Sequence, residues 1–110
     1  INAWFLVHLC KIPKTIKCGG VNYEVIESAD ISDIGDCVGA TQHESQKLFL
    51  KPNQALESKE KTLLHEILHI ALYQSWITSR LERLDKDLEE DIVSSIEHTL
   101  YQILKDNKFI

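Results

Sequence analysis

Residues 61–70, with the sequence KTLLHEILHI, decide how the rest of this chain is interpreted. They contain an HExxH pattern, in which His65 and His69 lie four positions apart and Glu66 directly follows the first histidine. On a helix, positions i and i+4 lie on the same face, so the two imidazoles can reach one metal ion. Glu66 lies ~100° further round the helix, close enough to act on a water molecule at that ion.

The residues around this pattern predict a helix over residues 55–77, with Asn53 as its N-cap. Its apolar positions cover most of the helix circumference, which is typical of a buried helix. The two histidines and Glu66 are therefore expected to lie in a buried setting, where polar groups need hydrogen-bond partners or a metal. Two core histidines that share hydrogen bonds with Glu66 are the structural alternative to a metal site.

A second helix is predicted over residues 87–106 from a regular apolar stripe, with Asp87 at its start. A catalytic zinc site has three protein ligands, and the third is expected from this helix, which offers Glu89, Glu90, Glu97 and His98. At ~100° per residue, Glu89 lies at the centre of the stripe and Glu90 at its edge, so geometry slightly favours Glu89. Glu89 is also explained by the helix dipole, and Glu90 by a capping box with Asp87. His98 lies on the opposite, solvent-facing side.

The residues ahead of the first helix predict a small antiparallel sheet of three or four strands. Residues 15–18 and 21–26 alternate in polarity around Gly19-Gly20, which predicts a β-hairpin. Residues 38–42 and 46–51 predict a second pair of strands. In the last of these, Leu48 and Leu50 are expected to face the core, while its lysines and Pro52 are typical of an exposed edge strand.

The predicted fold is thus an α+β domain in which the sheet packs on two long helices. Residues 27–37 are expected to form a loop with one helical turn, and residues 78–86 a polar linker or a helical turn. The chain is predicted to form one domain over residues 14–110, preceded by an arm of uncertain role over residues 1–13. Because the chain begins with isoleucine and contains no methionine, we expect it not to be a complete translated product.

Composition excludes several classes of protein. A net charge of −5 without a basic cluster argues against nucleic-acid binding. No apolar run reaches the roughly 18 residues that a membrane span needs. The three cysteines, Cys10, Cys18 and Cys37, are odd in number and form no CxxC pair. They therefore predict a reducing compartment, with small, partly buried thiols.

Three stretches together resemble a known group of proteins: TLLHEILH at residues 62–69, EEDIV at residues 89–93 and LYQILKDN at residues 100–107. They resemble small phage and prophage proteins that look like minimal zincins of the gluzincin type, related in pattern to the ImmA/IrrE metallopeptidases. The resemblance implies a zincin-like fold, a Zn²⁺ cofactor, a peptide or protein substrate and the cytoplasm of a bacterial host. One departure is Glu97, where the family pattern has a small residue.

The resemblance also implies the ligand set and the chemistry. The family's ligand glutamate is followed by a small apolar residue at +3 and a polar one at +4, which fits Glu90, with Val93 and Ser94, better than Glu89. With His65 and His69 as the other ligands, the implied function is a zinc-dependent metallopeptidase. In it, Glu66 is the general base for a zinc-activated water. The alternative is a catalytically silent, regulatory or binding protein of the same fold.

Two further expectations concern the substrate. A peptide substrate is expected to lie extended along the predicted edge strand near residues 48–50, by strand addition. Tyr73, four positions after His69, is a candidate stabiliser of the oxyanion. His8 and His43 are expected to be surface residues.

Overall fold

The computed structural model describes residues 12–30, 35 and 37–109. Their regular elements are the strands β1 (Thr15–Cys18), β2 (Val21–Glu27), β3 (Gly39–Gln42) and β4 (Lys47–Leu50), and the helices α1 (Leu56–Gln74), α2 (Thr78–Leu84) and α3 (Leu88–Asp106). One four-stranded sheet and three helices confirm the predicted α+β class. No described helix is long and apolar enough to cross a membrane.

Both predicted hairpins form, but the sheet is mixed rather than antiparallel. The Gly19-Gly20 turn has positive φ at both residues, as a two-residue turn between β1 and β2 requires. Strand β4 lies between β2 and β3, antiparallel to β3 and parallel to β2, in the order β1-β2-β4-β3. The prediction of a wholly antiparallel sheet was wrong because local turns determine pairing within each hairpin and not between hairpins.

The predicted edge strand is in fact central. Leu48 and Leu50 face the core as expected, and Phe49 on the opposite face of β4 is also buried. A strand buried on both faces is typical of the middle of a sheet with parallel pairing. Among the described residues the sheet edges are β1 and β3, so the interpretation of the lysines and Pro52 as edge protection was wrong.

Helix α1 lies between two layers, and this explains why its sequence is apolar over most of its circumference. One side packs against β1, β3 and β4, and another packs against α2 and α3. The core joins Ile70 of α1 to Tyr23, Leu48 and Leu50 of the sheet, all of which are buried. The buried residues of α1 are Thr62, Glu66 and Ile70, so two of the three are polar.

Helices α1 and α3 run antiparallel, and polar contacts join them at both ends. Near the start of α1, Glu60 accepts hydrogen bonds from Tyr101 and Lys105 near the end of α3. Near the end of α1, His69 meets the first turn of α3 at Glu89 and Glu90. Side-chain contacts at both ends of the pair thus determine the register between the two helices.

The ends of the helices differ from the sequence prediction in several details. Helix α1 has Ala55 rather than Asn53 at its N-cap. It ends at Gln74, because Trp76 has φ +63° and the amides of Trp76 and Ile77 donate to the carbonyls of Tyr73 and Leu72. This is a Schellman motif, whose left-handed residue is usually glycine.

The structure also defines the ends of the predicted linker and of the second predicted helix. Much of residues 78–86 forms α2, a helix of 7 residues. Helix α3 follows the predicted limits closely, with Asp87 at its N-cap. The Asp87 side chain makes no capping hydrogen bond, so the capping-box explanation of Glu90 was wrong. Within residues 27–37, where a helical turn was predicted, residues 31–34 and 36 lie outside the described ones. His8, Cys10 and the rest of the predicted arm up to residue 11 also lie outside them, whereas Ile12 packs against the core.

The core placement of β4 generates a stability prediction. Replacing Leu48, which is 0% exposed, by alanine should lower the free energy of unfolding by about 2–5 kcal/mol, because a buried leucine leaves a cavity. The matched control is Leu84→Ala in α2, where the side chain is 77% exposed and the expected change is within about 0.5 kcal/mol. Urea unfolding followed by circular dichroism measures both, and equal effects would contradict the position of β4 in the core.

Candidate metal centre

Helix α1 brings the two histidines of the HExxH pattern together, as the spacing predicts. The ring centroids of His65 and His69 are 5.0 Å apart. Their side chains are 17% and 16% exposed, respectively. Each ring is thus largely enclosed between α1 and α3 yet keeps some access to solvent.

Helix α3 supplies a carboxylate to both rings. One oxygen of Glu90 is 2.8 Å from Nε2 of His65, and its other oxygen is 2.8 Å from Nε2 of His69. One donor atom from each of these three residues lies within 4.8 Å of the other two. His65, His69 and Glu90 can therefore hold a metal ion.

The other ring nitrogens also face glutamates. Oε2 of Glu89 is 2.6 Å from Nδ1 of His69, and Oε1 of Glu97 is 3.5 Å from Nδ1 of His65. Carboxylates in these positions favour the tautomer with a proton on Nδ1, which leaves Nε2 as the donor to a metal. The structure thus separates the two glutamates that the sequence left open, with Glu90 at the Nε2 atoms and Glu89 behind one ring.

Glu97 lies beside His65 in a position that sequence reasoning did not assign to it. The sequence offered it only as one of four possible third ligands and as a departure from the family pattern, where a small residue was expected. The signal that could have identified it is its spacing, since Glu97 lies seven positions after Glu90 and so on the same face of α3.

Charge balance tests whether this donor set suits a cation. Glu89, Glu90 and Glu97 contact two imidazoles, and Glu66 acts on both of them through its charge. Even with both rings protonated, four carboxylates would leave a net negative charge. A divalent cation among the Nε2 atoms and Glu90 would offset that charge, so the residues present fit a metal ion.

Burial and neighbouring charges shift the pKa values in the cluster in opposite directions. Burial lowers the pKa of His69, but its hydrogen bond with Glu89 and the nearby carboxylates outweigh burial and leave it above its ordinary value. Burial raises the pKa of Glu90, yet the two histidines outweigh burial and leave it below its ordinary value. These two shifts favour a proton on His69 and a charged Glu90, which face each other at a position where a metal would replace the proton.

Glu66 is the most buried acid of the site, at 7% exposed, and it does not contact the histidines through hydrogen bonds. Its Oε1 accepts a hydrogen bond of 2.8 Å from Oγ1 of Thr41, on β3. The structural alternative, in which the histidines share hydrogen bonds with Glu66, was therefore wrong. Burial raises the pKa of the Glu66 carboxyl, although Thr41 and both histidines act in the opposite direction.

Thr41 was missed because only the tertiary fold brings the edge strand to the helix. The approach is close at Gly39, where an added Cβ would lie 2.5 Å from Cγ2 of Thr62 and 3.6 Å from Cγ of Glu66. A larger residue at Gly39 would push β3 away from α1. The HExxH helix and the edge of the sheet thus meet at Glu66.

A cavity of about 400 Å³ opens over this cluster. Its walls include the metal-ligand candidates, Glu66 and the start of β3. Cys37 also lines it and is exposed, contrary to the interpretation of the cysteines as partly buried, whereas Cys18 is half-buried as expected. The cavity connects the candidate ligands with solvent.

The remaining candidates lie elsewhere. His98 is exposed, as predicted. His43 is not a simple surface residue, because its ring stacks on Tyr73 at 3.9 Å and its Nδ1 is 3.4 Å from the Tyr23 hydroxyl. Tyr73 lines a neighbouring cavity with His43 rather than the one over the metal-ligand candidates, and its role as an oxyanion stabiliser stays a prediction.

No family model, curated protein or solved structure matches this chain.

The arrangement predicts different roles for Glu90 and Glu89 in metal binding. The protein should bind about one Zn²⁺ per chain, and Glu90→Ala or His69→Ala should abolish this binding by removing a ligand. Glu89→Gln should keep the stoichiometry and lower the affinity by about 10–100-fold, because it alters a group that only orients His69. Isothermal titration against a competing chelator measures these values.

His98→Ala is the matched control for this series, since the residue is an exposed histidine of α3 and should leave affinity unchanged. Loss of binding in Glu89→Gln together with full binding in Glu90→Ala would reverse the two assignments.

Proposed function

We propose that this chain is a zinc-dependent metallopeptidase with a minimal zincin-like domain, in which Glu66 is the general base. The observation that carries the proposal is the convergence of His65, His69 and Glu90 within 4.8 Å, beside a buried glutamate that lines the same cavity. Two imidazoles and one carboxylate form a donor set that catalytic zinc uses, with a further coordination position open.

The choice of zinc rests on the chemistry of these donors. Imidazole nitrogen suits zinc better than it suits magnesium or calcium, which prefer oxygen ligands. The carboxylates of Glu89 and Glu97 behind the rings are the partners that zinc-binding histidines commonly have. A bound zinc ion would supply a Lewis acid that polarises a carbonyl and lowers the pKa of a water molecule towards ~7.

Glu66 would carry the proton transfers. Its carboxylate accepts a proton from the water that attacks the scissile carbonyl carbon, and then passes that proton to the nitrogen of the leaving amine. The raised pKa of Glu66, caused by burial, strengthens it as a base. The hydrogen bond from Thr41 holds Oε1, which leaves Oε2 to face the reacting water.

The substrate would lie along β3 rather than along β4. Because β4 is paired on both sides, it cannot accept a further strand, which corrects the expectation based on residues 48–50. Strand β3 is an edge among the described residues, and its first residue, Gly39, lines the cavity. An extended peptide that pairs with β3 would bring a backbone carbonyl towards the metal-ligand candidates. Phage origin and a cytoplasmic location remain parts of this proposal that rest on the sequence.

Catalysis is tested by comparing Glu66→Gln with the unmodified protein. The variant should keep zinc, because Glu66 is not a ligand, and should cleave peptides about 10²–10⁴-fold more slowly, because it cannot accept the proton. Cleavage of a peptide library, read by mass spectrometry, measures the rate, and elemental analysis measures zinc. Glu44→Gln, at an exposed position in the β3–β4 turn, should retain full activity.

The possible outcomes separate the proposal from its rival. Equal cleavage by the unmodified protein and Glu66→Gln would assign the activity to a contaminant and contradict the peptidase. Zinc binding with no Glu66-dependent cleavage of any peptide would favour a silent protein that binds peptides or regulates a partner.

A further inference from the structure

A second and larger cavity lies beside the metal centre. It has a volume of about 1040 Å³ and lies between the ends of β1 and α1, the β3–β4 turn and α2. The stacked rings of His43 and Tyr73 form part of its wall, and Trp76 forms another part. Of the candidate catalytic groups, only Tyr73 lines this cavity. The proposed peptide hydrolysis therefore does not explain what the cavity is for.

Trp76 is the residue that neither packing nor backbone geometry explains. Its side chain is 85% exposed, so it contributes little to the core. Its φ of +63° lies in the left-handed region, where glycine is unstrained and a large side chain is not. A glycine would satisfy the Schellman motif at the end of α1 better. Tryptophan is enriched at interfaces and strained backbone clusters at ligand sites, so an exposed tryptophan at a strained position beside a cavity favours a binding role.

The charge of the cavity indicates what it binds. The acids that line it are Glu82 and Glu89, and no lysine or arginine is among the described residues that line it. Burial lowers the pKa of His43 below its ordinary value, which disfavours a positive charge on this ring. Aromatic faces and carboxylates together attract a cation.

Two residues that line the cavity each have a buried polar atom without a partner among the described residues. These atoms are Oγ1 of Thr78 and Oε1 of Glu89, whose other oxygen is held by His69. A buried polar atom without a hydrogen bond is unfavourable, so the packing of Thr78 and Glu89 leaves part of this wall unsatisfied.

Glu89 links the two cavities, because it lines this one and contacts His69 in the metal centre. We propose that this second cavity is a specificity subsite for the long cationic side chain of a lysine or arginine in the peptide substrate. The assignment of its ligand to a substrate rests on the proposed peptidase function. The cation would lie against Trp76 and Tyr73, with the carboxylates of Glu82 and Glu89 opposite.

Binding of small amino-acid amides tests the subsite without any cleavage. Nα-acetyl-lysine methylamide should bind about fivefold or more tightly than Nα-acetyl-norleucine methylamide, which has a similar apolar chain and no charge. Trp76→Gly and Glu82→Gln should each remove this preference. Titration by NMR, which detects weak binding, gives the affinities.

The control exploits a second residue with the same backbone conformation. Lys108, after the end of α3, has φ +59° and lies at the opposite end of that helix from Glu89. Lys108→Gly should leave probe binding unchanged. Both glycine variants should melt close to the temperature of the unmodified protein, so loss of binding in Trp76→Gly alone cannot be attributed to unfolding. Equal binding of the two amides, or a lysine preference that survives in Trp76→Gly, would overturn the subsite.

Cleavage data separate this inference from the function on which it rests. If both are correct, cleaved library peptides are enriched in a basic residue at one fixed position, and Trp76→Gly removes the enrichment while Glu66-dependent cleavage continues. Glu66-dependent cleavage without that enrichment would overturn the subsite and leave the peptidase. A lysine preference in probe binding without Glu66-dependent cleavage would overturn the peptidase and leave a cation-binding cavity.

Discussion

The carboxylate of Glu90 lies between two imidazoles, and the site depends on this contact. It joins the first turn of α3 to the middle of α1, because each of its oxygens is 2.8 Å from the Nε2 of one histidine. A carboxylate can contact two imidazoles at once only when this geometry is kept. The antiparallel packing of α1 and α3 keeps it, since Tyr101 and Lys105 hold Glu60 at the other end of the pair.

The acids around the two histidines divide into distinct roles by position. Glu90 faces the Nε2 atoms, Glu89 and Glu97 face the Nδ1 atoms, and Glu66 is held by Thr41 on the sheet. So many carboxylates in a small volume repel one another unless cations or protons compensate them. A cation held among these carboxylates would therefore stabilise the fold.

Much of the local structure could be predicted from the sequence, because short-range rules determine it. The HExxH spacing predicted the shared face of His65 and His69, the Gly19-Gly20 pair predicted its hairpin, and the apolar stripe predicted α3. Each of these depends on residues only a few positions apart.

The features that the sequence did not reveal depend on tertiary contacts. Strand β4 lies between β2 and β3, and no turn residue specifies its pairing with a strand of the other hairpin. The partner of Glu66 is 25 positions away on another element, and Gly39 brings that element close enough. A helical wheel also could not decide whether Glu89 or Glu90 is the ligand. Both residues lie in the first turn of α3, and both side chains face α1. The separation required the positions of individual ring nitrogens.

The most direct measurement is a crystal structure of the protein with Zn²⁺, in which anomalous scattering at the zinc absorption edge locates the ion. The expected result is one ion about 2.0–2.2 Å from Nε2 of His65, Nε2 of His69 and a Glu90 oxygen. Glu89 should remain on Nδ1 of His69. An ion bound by Glu89 in place of Glu90, or located away from these histidines, would contradict the metal centre described above.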